Sequence, residues 1–543
     1  MNFSSLALKI KNKLLSEIDQ LNWWYSTAPL RNDKNMQPLG GTLFVCALMS
    51  IPATAKAEGL FAAVLRRRGY KLVVLLNSRS PLLERCYRAA GPVEFIYLQD
   101  YIDHDDVKIA QDQAREYLAT AGNFDDLFEL TVDGVRIGRN VLSKAIRTFR
   151  VGKIDFSNSD QLATIEKLLS ESLKTSRAIQ KILAQVKPSG ALFNERGYTP
   201  AGEIFDACLV NKVEVIQWFG APLENCLAYK RYRLDNRDQH PLSISDKGWN
   251  LLLSHKFSGE MQNRIMVHLK ENYKADGWYN HQQLNVGKSL KSKTEIQHQL
   301  DLDPAKKTAV IFSHILYDAT FFYGSSLFAD YLTWLMETVR YAIKNPALNW
   351  IIKVHPVNVW RSRMDGAPME QLEVKALHEA FGELPSHIKF ITADSDINTY
   401  SLFSFIDYGL TVRGTIGMEL PCFGIPVITA GTGRYSGRGF TIDPPSIAEY
   451  NDLLLRLHEV PPLGAEEIRK ARLFAYGTLI LRAIPMDVLQ FKFEETSLFS
   501  RSKTMNVKLD RTRAAKLHDS DDLGLFQNWV DTGKGDELFK EFV

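Results

Sequence analysis

The 543-residue sequence holds only five cysteines, and none forms a CxxC pair. Cys46, Cys86, Cys208, Cys226 and Cys422 are odd in number and widely separated, which argues against a disulfide framework or a zinc site and leaves them as small core residues. Long apolar runs are also missing. Stretches such as LFVCALM at 43–49 fall far short of the roughly 20 residues that cross a bilayer. The first segment lacks the apolar run and small-residue cleavage site of a secretory signal, so the chain is expected in the cytoplasm. Neither sign of charge dominates: 66 Lys plus Arg against 63 Asp plus Glu give a formal net charge of +3. No general field draws such a chain to polyanions, and no nucleic-acid motif is found. Tandem repeats and low-complexity tracts are absent too.

What remains is an ordinary globular balance, 45% hydrophobic and 24% charged. Leu6, Ile10, Leu14, Ile18 and Leu21 recur at spacings of three and four, one face of an amphipathic helix. That face reads first as a packing face; its lysines allow a second reading, peripheral contact with an anionic inner-membrane surface. From Gly41 the pattern becomes GTLFVCALM, then IPATAKAEGLFAAVLRRRGY, then KLVVLL, a βαβ unit. Further apolar runs lie at 93–98, 190–195 and 213–219, with a helical pattern over 159–186. A polar interval at 284–305 reads as a connection. The rhythm then restarts with TAVIFSHI, a helix over 327–344, NWIIKVHP, HIKFIT, a helix over 397–406, YGLTV and IPVITAG. The expected fold is α/β, two Rossmann-like halves whose ligands sit beyond the carboxyl ends of the strands. The polar stretch 500–522 gives no reading.

Two strand ends carry the chemistry. Lys353-Val354-His355-Pro356 follows the apolar run NWII, and proline stops the strand. His355 can then donate to a phosphate, and Lys353 adds positive charge. The second is Thr411-Val412-Arg413-Gly414-Thr415-Ile416-Gly417-Met418-Glu419. Its glycine-flanked turn gathers backbone N–H groups, and the short helix after it points its positive end at an anion. Glu419, four residues beyond Thr415, shares its face and can accept the hydroxyls of a ribose.

The order KVHP, then YGLTVRGTIGMELPCFGIPVITAG, then GRYSGRGFTIDP resembles the nucleotide-binding half of GT-B glycosyltransferases, particularly the capsule polysaccharide biosynthesis group that includes the capsule Kdo transferases. The resemblance covers roughly 305–450. It implies two Rossmann-like domains facing a cleft, with His355-Pro356 and Thr415, Gly417 and Glu419 gripping the nucleotide. Arg413-Gly414 stands where that family commonly has a serine pair. The implied division is a helix at 1–40, an acceptor domain at 41–290, a donor domain at 305–470 and a helical segment at 471–543 returning to the first domain.

By the same resemblance Arg434 and Arg438, in the glycine-rich loop 432–444, face diphosphate or an acidic sugar. Ser313 and His314 face the donor, and Asp318 is either a catalytic residue or a helix cap. Glu195, after the strand GALF, is the first candidate for the base that takes the acceptor proton. Glu203 and Asp206 read as surface or capping residues, and Asp133-Gly134 as a hairpin turn. Asp394-Ser395-Asp396 has the letters of a metal-binding DxD pair but reads as a capping turn. The activity implied is metal-independent transfer from a nucleotide sugar, possible donors including a CMP-linked one, to a glycan or lipid-linked glycan precursor of a surface or capsular polysaccharide, with no cofactor. A nucleotide-sugar 2-epimerase, a polyol-phosphate transferase and an inactive carbohydrate-assembly protein share the pattern.

Overall fold

The computed structural model describes residues 3–31, 40–48, 51–274, 285, 287–357, 359, 371–497, 500–517 and 520–541, with side chains from residue 14 onward except at 492–505. Two compact units emerge. The first comprises 1–141, 165–237 and 482–543, the second 142–164 and 238–481.

The strands are β1 (Thr42–Cys46), β2 (Lys71–Leu76), β3 (Glu94–Tyr97), β4 (Gly190–Phe193), β5 (Glu214–Gly220), β6 (Cys226–Tyr232), β7 (Thr308–Phe312), β8 (Asn349–Lys353), β9 (Ile388–Ile391), β10 (Tyr408–Thr411), β11 (Val427–Thr429) and β12 (Ile484–Pro485), with a hairpin of β13 (Leu489–Ser497) and β14 (Ser500–Leu509). The helices used below are α1 (Phe3–Ser26), α2 (Pro52–Arg67), α3 (Pro81–Arg88), α4 (Ser159–Val186), α5 (Ala201–Val210), α6 (Gly259–Glu271), α7 (Tyr331–Ile343), α8 (Ile416–Glu419) and α9 (Arg511–Ala515).

In the first unit the sheet runs β12-β6-β5-β4-β1-β2-β3, parallel from β5 to β3, with β6 and β12 antiparallel. In the second it runs β11-β10-β7-β8-β9, all parallel. Both units are therefore Rossmann-like α/β layers. In each, the chain starts mid-sheet and crosses to the other side, at β1/β4 in the first unit and β7/β10 in the second, and ligands gather at such switch points.

Burial follows from the sequence. Strands β7 and β8, TAVIF and NWIIK, are buried along their whole length, as expected for sheets covered on both faces. Helix α2 starts with a proline in its first turn and is buried from Ala53 to Arg66. Two of its buried charges, Lys56 and Glu58, are met as follows. Lys56 pairs with Asp19 at 2.7 Å and donates to Val507 O at 3.3 Å. Glu58 accepts from Tyr87 Oη and, at 3.1 Å, from Trp218 Nε1. The segment 500–522 thus gains a role: β14 helps to satisfy a buried lysine. All five cysteines are buried and free.

Four expectations change. The interval 284–305 is not a plain connection: Ser292 and Glu295 form a capping box on a helix at Lys293–Gln299, and Ile296 lies in the second unit's core. The contact boundary falls instead at 237/238. A helix over 397–406 becomes a 3-10 helix, Thr399–Ser404, capped by Asn398. Asp394-Ser395-Asp396 precedes that cap as a turn in which Asp396 pairs with Lys291. In α1, Leu6 and Ile10 have side chains outside the described residues, and Leu14, Ile18 and Leu21 are exposed rather than packed. The opposite face docks through Trp23, whose Nε1 donates to Cys86 O at 3.1 Å.

Candidate functional site

Because β7 lies between β10 and β8, three predicted segments meet at one edge of the second unit. Ser313 ties two of them: its N–H donates to Lys353 O at 3.1 Å, and its Oγ accepts from His355 N at 3.0 Å. His314 ties the third. Its Nε2 accepts from Val412 N at 3.1 Å and lies 3.1 Å from Thr411 Oγ1. That bond assigns the ring proton to Nδ1. The ring stacks on Tyr331 at 4.3 Å. Burial first, then Arg413, His355 and Arg434, hold its pKa well below the usual histidine value, so His314 is a neutral imidazole near pH 7.

Arg413 is the unusual group. It is 5% exposed, and its Nη2 donates to Ser325 O at 3.3 Å and to Ser326 Oγ. Its Nε and Nη1 are buried with no hydrogen-bond partner, and no carboxylate pairs with it among the described residues. Burial pulls its pKa down from the ordinary value, yet a guanidinium does not lose its proton in proteins. An unmet buried donor costs about 1–3 kcal/mol, more when charged. Lys353 is a second buried cation, with its pKa drawn down to about 7 by burial and by Lys288. His355 Nδ1 accepts from Val357 N at 3.2 Å.

Glu419 is buried, accepts from Tyr273 Oη, and is also hydrogen-bonded by Thr415; burial raises its pKa. A ribose would have to share or displace these partners. Gly414 O accepts from Tyr435 Oη at 2.8 Å, and a Cβ at Gly417 would lie 1.9 Å from that oxygen. Gly417 therefore makes room for a tyrosine rather than for a ligand. Helix α8 is a single turn, so the dipole expected of it is small.

Other predicted residues are engaged within the unit. Arg438 pairs with Asp246 at 2.6 Å and donates to Ile244 O at 2.7 Å, which makes it a loop tether rather than an anion ligand. Arg434 contacts His240 Nε2. Asp318 lies 3.5 Å from Arg147.

In the first unit Glu195 is half-buried and accepts from Arg196 N at 3.1 Å. Asp133 and Gly134 have positive φ, and Val132 and Val135 exchange backbone bonds of 3.0 and 2.9 Å, a tight hairpin turn. Glu203 and Asp206 are not on the surface. Asp206 is buried and held by Arg136 through Nε at 2.9 Å and Nη2 at 2.8 Å. Glu203 is buried against Ser172 Oγ and Thr199 Oγ1, its Oε2 has no hydrogen-bond partner, and burial raises its pKa to about 7.

The sequence reading missed a cavity of about 370 Å³ at the β1/β4 switch point. Asn77, Ser80, Gln99, Lys174, Thr175 and Thr199 are on its wall, over an apolar floor that includes Leu48, Leu83 and Ile102. Glu195 does not line it but shares the β4–α5 loop with Thr199. No local motif could reveal it, because its polar residues come from four separate stretches of chain.

Among the described residues, no cluster of three or more His, Cys, Asp or Glu is arranged to hold a metal, and no helix is long and apolar enough to cross a membrane. Among solved structures, the chain is similar to Thermosulfurimonas dismutans KpsC, beta Kdo 2,4 transferase (17% identity, 53% of this chain and 79% of that one, TM-score 0.31). It is also similar to the UDP-GlcNAc 2-epimerase from Neisseria meningitidis bound to UDP-GlcNAc (14% identity, 80% and 96%, TM-score 0.25). No curated protein matches. The sequence model of the family described as "Capsule polysaccharide biosynthesis protein" matches residues 220–453. The chain thus resembles the capsule polysaccharide biosynthesis proteins over a segment that contains every predicted donor-side residue, from Ser313 to Arg438.

Proposed function

We propose that the second unit binds the nucleotide of an activated sugar and that the chain is a glycosyltransferase extending a surface or capsular polysaccharide precursor. The observation that carries this reading is Arg413, a buried guanidinium beside the β7/β10 switch point with two unmet donors. Its planar fork suits a phosphate. Lys353, whose pKa of about 7 leaves it only partly charged at neutral pH in the free protein, regains its full charge beside a bound phosphate. With His355 these groups meet the charge that develops on the leaving nucleotide, so transfer needs no divalent metal. Glu419 accepts from the ribose by exchanging partners with Tyr273.

The first unit takes the acceptor, a glycan or lipid-linked glycan. Hydrogen-bonding side chains over an apolar floor, with Lys174 and Glu171 among them, suit a pyranose ring. Glu195 accepts the acceptor hydroxyl proton as the new C–O bond forms and the anomeric bond to the nucleotide breaks, its electron pair leaving on phosphate oxygen. Asp318, held by Arg147, is a positioning residue.

Thermal unfolding of the full chain with CMP, CDP, UDP and GDP, each with and without its sugar, tests the reading. One nucleotide at a hundred times its Kd should add about 2.7 kcal/mol to the wild-type protein and far less to Arg413→Met. Failure of every nucleotide to stabilise the wild-type fold would remove the proposal.

A further inference from the structure

Helix α1 wears its apolar side outward. Leu14, Leu15, Ile18, Leu21, Trp24 and Tyr25 are each between 45% and 68% exposed. At about 100° per residue, Leu14, Ile18, Leu21 and Tyr25 fall within roughly 60° of one another, and Trp23 lies on the far side. The inner face is fixed independently. Trp23 is buried and bonded to Cys86 O, Thr27 Oγ1 donates to Trp23 O at 2.7 Å, and Asp19 pairs with the buried Lys56. The outward stripe is thus held in place by contacts that do not use it.

We infer that this stripe docks on an anionic lipid surface. Charge decides the occupant. Residues 3–31 contain Lys9, Lys11, Lys13 and Arg31 against Glu17 and Asp19. Glu17 pairs with Arg85, and Asp19 with Lys56, so both acids are spent on the body of the unit. At the other end of the stripe the Arg31 guanidinium lies 3.9 Å over Trp24, and that of Arg511, on α9, lies 4.5 Å over Tyr25. Aromatic rings capped by cations suit the headgroup layer, where the ring enters the apolar boundary and the charge meets phosphate. A second copy would bring the same positive charges together, whereas an anionic leaflet attracts each by about 1 kcal/mol. The lysines among the apolar residues make α1 a helix that lies on the membrane, not through it. The inference stands apart from the nucleotide site.

Full-length protein is sedimented with vesicles of phosphatidylcholine alone and of phosphatidylcholine with phosphatidylglycerol. The wild-type chain should bind the anionic vesicles at least about tenfold better, and added salt should release it. The triple variant Leu14→Glu, Ile18→Glu, Leu21→Glu should lose that binding while keeping its thermal midpoint and its nucleotide response, since these side chains face outward and lie outside the buried core. Trp24 emission should shift to the blue on binding in the wild type only. Equal binding to both vesicles, unchanged binding of the triple variant, or a concentration-dependent dimer that the triple variant abolishes would each overturn the inference.

Discussion

Arg413 makes the sharpest prediction, because a buried arginine that serves the fold and one that waits for an anion respond oppositely to removal. Arg413→Met keeps much of the stem and deletes the charge. In the free protein this relieves two unmet donors, at about 1–3 kcal/mol each, and forfeits two charge-assisted bonds to Ser325 and Ser326 at about 1.5–3 kcal/mol each. These terms nearly cancel, so urea unfolding should shift by less than about 2 kcal/mol. Arg136→Met is the contrast. It strands the buried Asp206 carboxylate and should cost about 3–5 kcal/mol. With nucleotide present the order reverses. Arg413→Met should weaken binding by about 1.5–3 kcal/mol, roughly ten- to a hundred-and-fifty-fold by calorimetry, and Arg136→Met, where folded, should leave affinity near wild type. If Arg413→Met destabilised the free fold as much as Arg136→Met and left nucleotide affinity unchanged, the arginine would be a structural group and the phosphate site would be lost.

The remaining predictions concern protons and carboxylates. Glu58 and Glu203 have pKa values raised by burial from 4.5 to about 7, so their stabilising contribution is present below about pH 4.5 and lost as pH rises toward 7; each should account for on the order of 3 kcal/mol over that window. Glu203→Gln should flatten its share of the slope in unfolding experiments at several pH values, and an unchanged slope would refute the assignment. Nucleotide affinity should fall as pH rises above about 7, where free Lys353 is neutral, and Lys353→Met should remove that dependence. Glu419→Ala should weaken nucleotide binding by about 1–3 kcal/mol, whereas Tyr273→Phe should tighten it by removing a competing hydroxyl; weaker binding in Tyr273→Phe would mean that the phenol itself contacts the nucleoside. Glu195→Gln should lower turnover about a hundred- to ten-thousandfold with donor affinity kept, and Asp133→Asn should leave it nearly intact; the reverse ranking would move the base.

Much of the architecture was legible because buried parallel strands announce themselves. TAVIF, NWII and YGLT are short, mainly apolar runs, and the turns after them carry polar residues that the sheet order then gathers. Partners contributed from afar were not legible. Glu203 and Asp206 look like helix-surface acids until Ser172, Thr199 and Arg136 are brought to them. The first unit's cavity is likewise assembled from short, unremarkable stretches such as Asn77 to Ser80 and Lys174 to Thr175. Gly417 shows the converse: a glycine in a promising motif whose space is taken by Tyr435. Periodicity placed α1 correctly as a helix but could not say which face packs, because one large residue, Trp23, with a hydrogen bond of its own, won over a longer line of leucines. The 284–305 interval misled for a related reason. Its polar composition hides the single buried Ile296 that joins it to the second unit's core.

The central claim is that the carboxyl ends of β7, β8 and β10 hold a nucleotide phosphate. A crystal structure of the full chain with whichever of CMP, CDP, UDP or GDP stabilises it most tests this directly. The account predicts phosphate oxygens within hydrogen-bonding distance of Arg413 Nε and Nη1, with the ribose turned toward Glu419. A nucleotide bound in the first unit, with the Arg413 guanidinium still contacting only Ser325 and Ser326, would contradict it.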